Sequence, residues 1–208
     1  MTAEFHACAV IPSHNHWRVA GAGVERLRAA GLPVFIVDDA SGEPARSCLA
    51  ALATQGGGGF HRFEVNQGKG GAVMQGLRMA IAAGYTHAVQ VDADGQHDLD
   101  SLPALLALAR RNPRALAMGT PVYDRTVPRG RAIGRKITQF WVWVETLFRP
   151  IPDTMCGFRV YPLAAVETLL GSKERIGRRM DFDIEVAVRL YWRGTPLVRR
   201  LLDAQEEA

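Results

Sequence analysis

Short apolar runs without strict alternation, each followed by a helical stretch, organise the first 120 residues. Residues 7–11 (ACAVI) end at Pro12 and predict a buried strand. Residues 17–30, rich in Ala, Leu and Arg at helical spacing, predict a helix that stops at Gly31 and holds Gly21-Ala22-Gly23. Residues 33–37 (PVFIV) form a second strand, closed by Asp38-Asp39-Ala40-Ser41-Gly42. A helix over 44–54 follows, then a flexible turn at Gly56–Gly59 and a third strand over His61–Val65. Gly70–Ala83 reads as a helix, Thr86–Val91 as a fourth strand, Leu102–Arg110 as a helix and Ala115–Met118 as a fifth strand.

Strands without alternation, separated by helices, imply a mostly parallel sheet covered on both faces. Right-handed crossovers then bring the strands' C-terminal ends to one edge, and ligands of such sheets bind outside it. Four polar loops fall there: Ser13–His16, Asp38–Ser41, Asn66–Lys69 and Asp92–His97. After Gly119 the alternation fails. Residues 120–136 are rich in Pro, Gly and Arg; 158–170 predict a strand and a helix, and 180–193 a helix. In residues 137–149, Phe140, Trp141, Trp143, Leu147 and Phe148 suit either core packing or a bilayer interface.

Composition narrows the class. Of 208 residues, 48% are apolar and 22% charged, which excludes disorder as the main state. No run of about 18 apolar residues predicts a membrane span. The first residues lack a basic region and meet His and Pro too early for a signal peptide. The three cysteines, Cys8, Cys48 and Cys156, are odd in number and lack CxxC spacing, which argues against a disulfide framework or zinc site and for a cytoplasmic setting. The net charge of +4 suits anionic partners such as nucleotides, phosphates or a membrane surface, or simply aids solubility. Nucleic acid is not expected, since no interleaved aromatic pattern accompanies the basic residues.

The sharpest chemical feature is Val91-Asp92-Ala93-Asp94-Gly95-Gln96-His97. Two carboxylates two apart, leaving a buried strand, are hard oxygen ligands suited to Mg²⁺ or Mn²⁺, with Gln96 or His97 as a further ligand. Capping of the helix near Leu102 explains Asp98 or Asp100, but not Asp92 and Asp94 together. Asp38-Asp39 could accept hydrogen bonds from a nucleoside, or serve as turn chemistry. Asn66-Gln67-Gly68-Lys69-Gly70-Gly71 opens a helix, where glycines, the helix N-terminus and Lys69 favour an anion. Arg125, Arg129, Arg131, Arg135 and Lys136 could grip phosphate or form a solvated loop. Among Asp153, Asp181, Asp183 and Glu185, any carboxylate beside an acceptor hydroxyl could act as a general base; Asp181 also suits a helix cap.

Taken in order, five stretches resemble family-2 glycosyltransferases of GT-A fold, and within them the polyprenyl-phosphate (dolichol-phosphate) mannosyltransferase-like branch. They are Ile11–His16, Val37–Ser41, Asn66–Ala72, Val91–His97 and Asp153–Arg159, and the resemblance covers about residues 8–193. It implies an α/β fold with a mostly parallel, Rossmann-like nucleotide-binding sheet, helices on both faces and C-terminal acceptor-side helices. It implies one catalytic domain over 1–208, with a nucleotide-sugar half at about 1–119 and an acceptor half at about 120–208.

The implied activity is an inverting transfer of a sugar from a UDP- or GDP-linked donor to a lipid-linked or lipid-like acceptor, such as a polyprenyl phosphate. Mg²⁺ or Mn²⁺ is the implied cofactor, and peripheral membrane contact is the implied setting. Carried over, Asp92 and Asp94 are the metal pair with Gln96 as a further ligand. Pro12, His14, Val37 and Asp39 meet the nucleoside, Arg135 meets donor or acceptor phosphate, and Lys69, Asp92 and Arg159 count with them as cofactor-binding residues. Asp153 and Arg159 close the acceptor side. A phosphate acceptor needs no strong base; an alcohol acceptor needs one, and Asp183 or Glu185 are then the candidates. Two departures stand out. His16 replaces the family's usual Glu, and Leu201–Ala208 stands where relatives have a further strand and a basic Arg–Gly–Ser–Lys/His loop. The competing readings are a sugar-phosphate nucleotidyltransferase, which should carry a glycine-rich loop after the first strand, and a shortened non-catalytic nucleotide-sugar-binding remnant.

Overall fold

Strand β1 (Ala7–Ser13) alternates its side chains between two cores, as a strand with both faces covered must. Cys8 and Val10 join one apolar cluster; Ala9 and Ile11 join the other. This is why the sequence shows an unbroken apolar run there. The computed structural model describes residues 4–54, 56–121, 156–172 and 174–202.

Around β1 the chain forms α1 (Trp17–Ala29), β2 (Val34–Asp38), α2 (Ala45–Ala53), β3 (Gly59–Arg62), α3 (Lys69–Ala82) and β4 (His87–Gln90). A short 3-10 turn (Leu99–Ser101) leads into α4 (Leu102–Arg111) and β5 (Leu116–Pro121). The described chain resumes with β6 (Arg159–Pro162), α5 (Leu163–Leu170), α6 (Phe182–Trp192) and β7 (Leu197–Leu202). The seven strands lie in the order β3-β2-β1-β4-β6-β5-β7. Side chains of α1, α2 and α4 fill the core on one face, and those of α3, α5 and α6 fill the other.

Most neighbouring strands are parallel, but β6 runs antiparallel to both β4 and β5. Its first residue, Arg159, therefore pairs with Gln90 at the end of β4. That reversal delivers Gly157, Phe158 and Arg159 to the edge where the parallel strands end.

Two expectations are corrected. The third strand begins at Gly59 and ends at Arg62, rather than spanning His61–Val65, so Gly59 belongs to the strand and not to the preceding turn. The further strand expected to be missing is present as β7, paired in parallel with β5 from Leu197 to Leu202. Its arginines (Leu197-Val198-Arg199-Arg200) masked the apolar signal of an edge strand, and edge charge is a common device against unwanted pairing. Of the two expected caps, Asp98 caps the 3-10 turn that leads into α4, its carboxylate accepting from the Asp100 amide and the Ser101 hydroxyl, while Asp100 pairs with Arg26. The basic run Arg125–Lys136, the aromatic stretch 137–149, Arg135 and Asp153 lie outside the described residues.

Candidate nucleotide-sugar site

The ends of four strands converge on one cavity of about 420 Å³. Pro12, Ser13, His14 and His16 line it after β1, Asp39 after β2, Asn66, Gly68, Lys69 and Ala72 around the start of α3, and Asp92, Ala93 and Asp94 after β4. Arg179 and Met180, from the segment before α6, complete the rim.

One wall is built by cross-links between the loops after β1, β2 and β3. His14 Nδ1 lies 2.7 Å from the Asp39 carbonyl oxygen, and Asn15 Nδ2 lies 3.2 Å from His14 Nε2. A carbonyl can only accept, so Nδ1 carries the proton and Nε2 is left to accept from Asn15. The Asp39 carboxylate accepts from the backbone amides of Gln67 (2.6 Å) and Gly68 (2.9 Å). Gly68 has φ +82°, and a Cβ there would lie 2.5 Å from the Arg178 carbonyl oxygen, so this turn requires glycine. Asp38 is fully buried and locked by Arg62 (2.7 Å) and the Ser41 amide (2.9 Å); it shapes the loop and does not line the cavity.

The opposite wall centres on Lys69. Its Nζ lies 2.7 Å from Asp92 Oδ2 and 2.8 Å from Asp183 Oδ2. Gln90 Nε2 donates to Asp183 Oδ1 at 3.1 Å, and the Tyr161 hydroxyl donates to Gln90 Oε1 at 2.9 Å. Arg159, fully buried, donates to the carbonyl oxygens of Asp183 and Cys156. His97 Nε2 lies 3.3 Å from Asp92 Oδ2, and its ring stacks on Phe158. Burial opposes ionisation of Asp92, but His97 and the Lys69 ammonium outweigh it and hold the carboxyl well below the usual range. Burial likewise opposes the Lys69 charge, yet Asp183 and Asp92 raise its pKa above the ordinary value. Burial pushes the Tyr161 phenol far up, which keeps it a neutral donor to Gln90.

Gly157 makes this cluster possible. A Cβ there would lie 2.8 Å from Asp92 Oδ2, 2.8 Å from Gln90 Nε2 and 2.9 Å from Lys69 Nζ.

Of the residues singled out in the sequence, Pro12, His14, Asp39, Lys69, Asp92 and Asp94 line the cavity together. Others do not. Val37 is fully buried within β2 and is absent from the lining. Gln96 is exposed and off the lining; its amide donates to Asp94 Oδ1 at 3.0 Å, as Gly95 turns the chain away. Arg159 braces the segment bearing Asp183 instead of facing the cavity. Asp183 sits behind Lys69 and is also off the lining. Glu185 faces Arg189 and the Gly177 amide. Asp181 accepts from the Arg179 amide and makes no side-chain cap to α6. Sequence reasoning overlooked Gln90, Tyr161, Arg179 and Met180. Gln90 did leave a trace, being a polar residue inside an apolar strand run, which demands a buried partner.

Divalent-cation chemistry can be weighed against these groups. Among the described residues, no three His, Cys, Asp or Glu side chains form a preformed metal cage. Asp92 and Asp94 do present two carboxylates to one cavity, and Ser13 Oγ, buried on its lining, has no hydrogen-bond partner. Two carboxylates with room for water and phosphate oxygens fit Mg²⁺ or Mn²⁺, which rarely take a full protein cage.

Residues 8–169 match the sequence profile of glycosyl transferase family 2. The chain is 30% identical over 164 residues to undecaprenyl-phosphate mannosyltransferase of Micrococcus luteus, a match spanning 73% of this chain and 64% of that relative. Among solved structures it resembles glucosyl-3-phosphoglycerate synthase from Mycobacterium tuberculosis in complex with Mn²⁺, UDP and glucosyl-3-phosphoglycerate. There the TM-score is 0.72 at 14% identity, covering 99% of this chain and 74% of that one. It also resembles a mannosyltransferase, PcManGT, from Pyrobaculum calidifontis in complex with GDP-mannose and Mn²⁺. That likeness has a TM-score of 0.65 at 16% identity, over 98% of this chain and 57% of the other. The fold is the α/β GT-A fold.

Proposed function

The chain belongs to glycosyl transferase family 2, and on that footing we propose that it moves a sugar, with inversion, from a UDP- or GDP-linked donor to a lipid-linked phosphate acceptor. The observation that carries the reading is the single cavity joining the His14–Asp39 wall to Lys69, Asp92 and Asp94. It has a hydrogen-bonding wall for a nucleoside and a charged wall for a diphosphate. The mannosyltransferase relative supports a polyprenyl-phosphate acceptor, and the Mn²⁺ complexes of the structural neighbours support a divalent cation.

In this reading Asp92 and Asp94 hold Mg²⁺ or Mn²⁺, which offsets charge developing on the leaving diphosphate. Lys69 holds a second positive charge at the cavity wall, fixed in advance by Asp92 and Asp183. Asp39 keeps the start of α3 in place, and His14 presents a neutral ring to the nucleoside. Asp183 and Glu185, the bases named for an alcohol acceptor, are both off the cavity lining, Asp183 behind Lys69 and Glu185 against Arg189. A phosphate oxyanion attacks without such a base, so the lipid-phosphate reading asks for none of these carboxylates. Among the described residues no helix is long and apolar enough to cross a membrane. In this reading the acceptor is met at the membrane surface.

The test is product formation. The chain is incubated with GDP-mannose, UDP-glucose and Mn²⁺, with a short-chain polyprenyl phosphate in detergent, and glycosylated lipid is measured by mass spectrometry. The reading requires a polyprenyl-phosphosugar product from one donor, lost in Asp94→Asn. Nucleotide binding without product would instead favour a non-catalytic donor-binding role.

A further inference from the structure

A second cavity, of about 700 Å³, lies on the other side of the α5–α6 segment from the donor site. Met74, Leu170 and Ile176 give it apolar lining, and Arg78, Arg175 and Arg178 stand around it, all three exposed. Among the described residues none of these guanidinium groups pairs with a carboxylate; Arg178 donates to the neutral Gln67 Oε1 at 2.6 Å. The one carboxylate on the lining, Glu174, is neutralised twice, by Arg189 at 2.5 Å and Arg193 at 2.8 Å. The groove thus combines unpaired arginines, apolar surface and a silenced acid. The same segment continues through Arg179 to Met180, which is 73% exposed at the rim of the donor cavity.

We propose that this segment is a docking surface for anionic phospholipid. The arginines take the phosphate head groups, the exposed Met180 meets the acyl boundary, and the donor cavity is held at the bilayer surface. The charge complementarity is bidentate guanidinium to phosphate. The proposal deepens the lipid-acceptor reading and rests on it for its purpose.

The test is co-sedimentation of the purified chain, without donor, with vesicles of phosphatidylcholine alone or mixed with phosphatidylglycerol. The wild type should prefer the anionic vesicles. Arg78→Gln with Arg175→Gln should lower that partition roughly twenty-fivefold, about a factor of five per arginine. Arg111→Gln with Arg114→Gln removes the same charge at the opposite edge of the sheet and should cost less than about threefold, because screening confines the attraction to charges near the bilayer. Equal loss in the two double variants, or no preference of the wild type for anionic vesicles, overturns the proposal. So does saturable binding of inorganic phosphate that is lost in Arg78→Gln with Arg175→Gln while the vesicles are ignored. Transfer to short-chain polyprenyl phosphate in detergent is read separately. Vesicle preference without transfer sinks the acceptor reading alone, and transfer without vesicle preference sinks the docking surface alone.

Discussion

Lys69 Nζ sits 2.7 Å from Asp92 Oδ2 at the wall of the cavity at the strand ends, and the same nitrogen reaches Asp183 at 2.8 Å. One ammonium thus joins a carboxylate that faces the cavity to one buried behind it. All three side chains are shielded from water, so the ion pairs are screened little by salt. Removing the cation takes the ammonium from both carboxylates and leaves only His97 beside Asp92. Lys69→Met should therefore destabilise the fold by on the order of 3 kcal/mol. Urea unfolding checks this, and a loss under about 1 kcal/mol would mean that the carboxylates find other partners.

Gly157 should be intolerant of a side chain for a local reason. The methyl group of Gly157→Ala would contact Asp92 Oδ2 and Gln90 Nε2 at 2.8 Å, and Lys69 Nζ at 2.9 Å, closer than such contacts allow. We expect the variant to stay folded by circular dichroism and to lose at least tenfold in nucleotide affinity, as a shift on the order of 1 Å at a charged site does to function. Wild-type affinity in Gly157→Ala would show that Asp92 and Lys69 do not act on the nucleotide.

The buried chain Tyr161–Gln90–Asp183 should behave as a unit. Tyr161→Phe removes the donor to Gln90 Oε1 and leaves a buried acceptor unmatched, at a cost of about 1–3 kcal/mol. In Gln90→Leu the same Tyr161→Phe change should cost much less, because its partner is already gone. A double-mutant cycle by chemical denaturation measures the difference, and additive effects would contradict the coupling.

Cys8 gives the pH dependence. It is fully buried in β1, and burial pushes its thiol up to about 12. Its folded pKa lies above the unfolded one, so its contribution is fully present below the ordinary thiol range. It is lost as pH rises towards about 12, because only the unfolded chain releases the proton in that window. Cys8→Ala should flatten the fall in stability on the alkaline side, and thiol reagents near pH 8 should label Cys48 well before Cys8. Rapid labelling of Cys8 in the folded chain would show that β1 opens.

Much of the fold over the first 120 residues was legible because both faces of its strands are buried. Runs such as Ala7–Ile11 and Pro33–Val37 then announce themselves without alternation. The polar loop after each strand followed from the parallel arrangement, and so did the meeting of His14, Asp39, Lys69 and Asp92. What stayed hidden depends on strand direction and reach. Nothing in Arg159–Pro162 says that β6 runs antiparallel, yet that reversal brings Gly157 against Asp92 and turns Arg159 into a brace for Asp183. Gln96 belongs to a matching motif, but Gly95 turns it to solvent. Strand β7 went unread because an edge strand need not be apolar throughout, and Arg199 and Arg200 interrupt its apolar run.

The central claim is that the cavity bounded by Asp39, Lys69 and Asp94 binds a nucleotide diphosphate through a divalent cation. Calorimetric titration of the chain with GDP and with UDP, each with and without Mn²⁺, tests it most directly. We expect one of the two to bind only with Mn²⁺, and Asp94→Ala to abolish that binding while the thermal transition stays in place. Binding of equal strength with and without Mn²⁺, or undiminished in Asp94→Ala, would contradict the account.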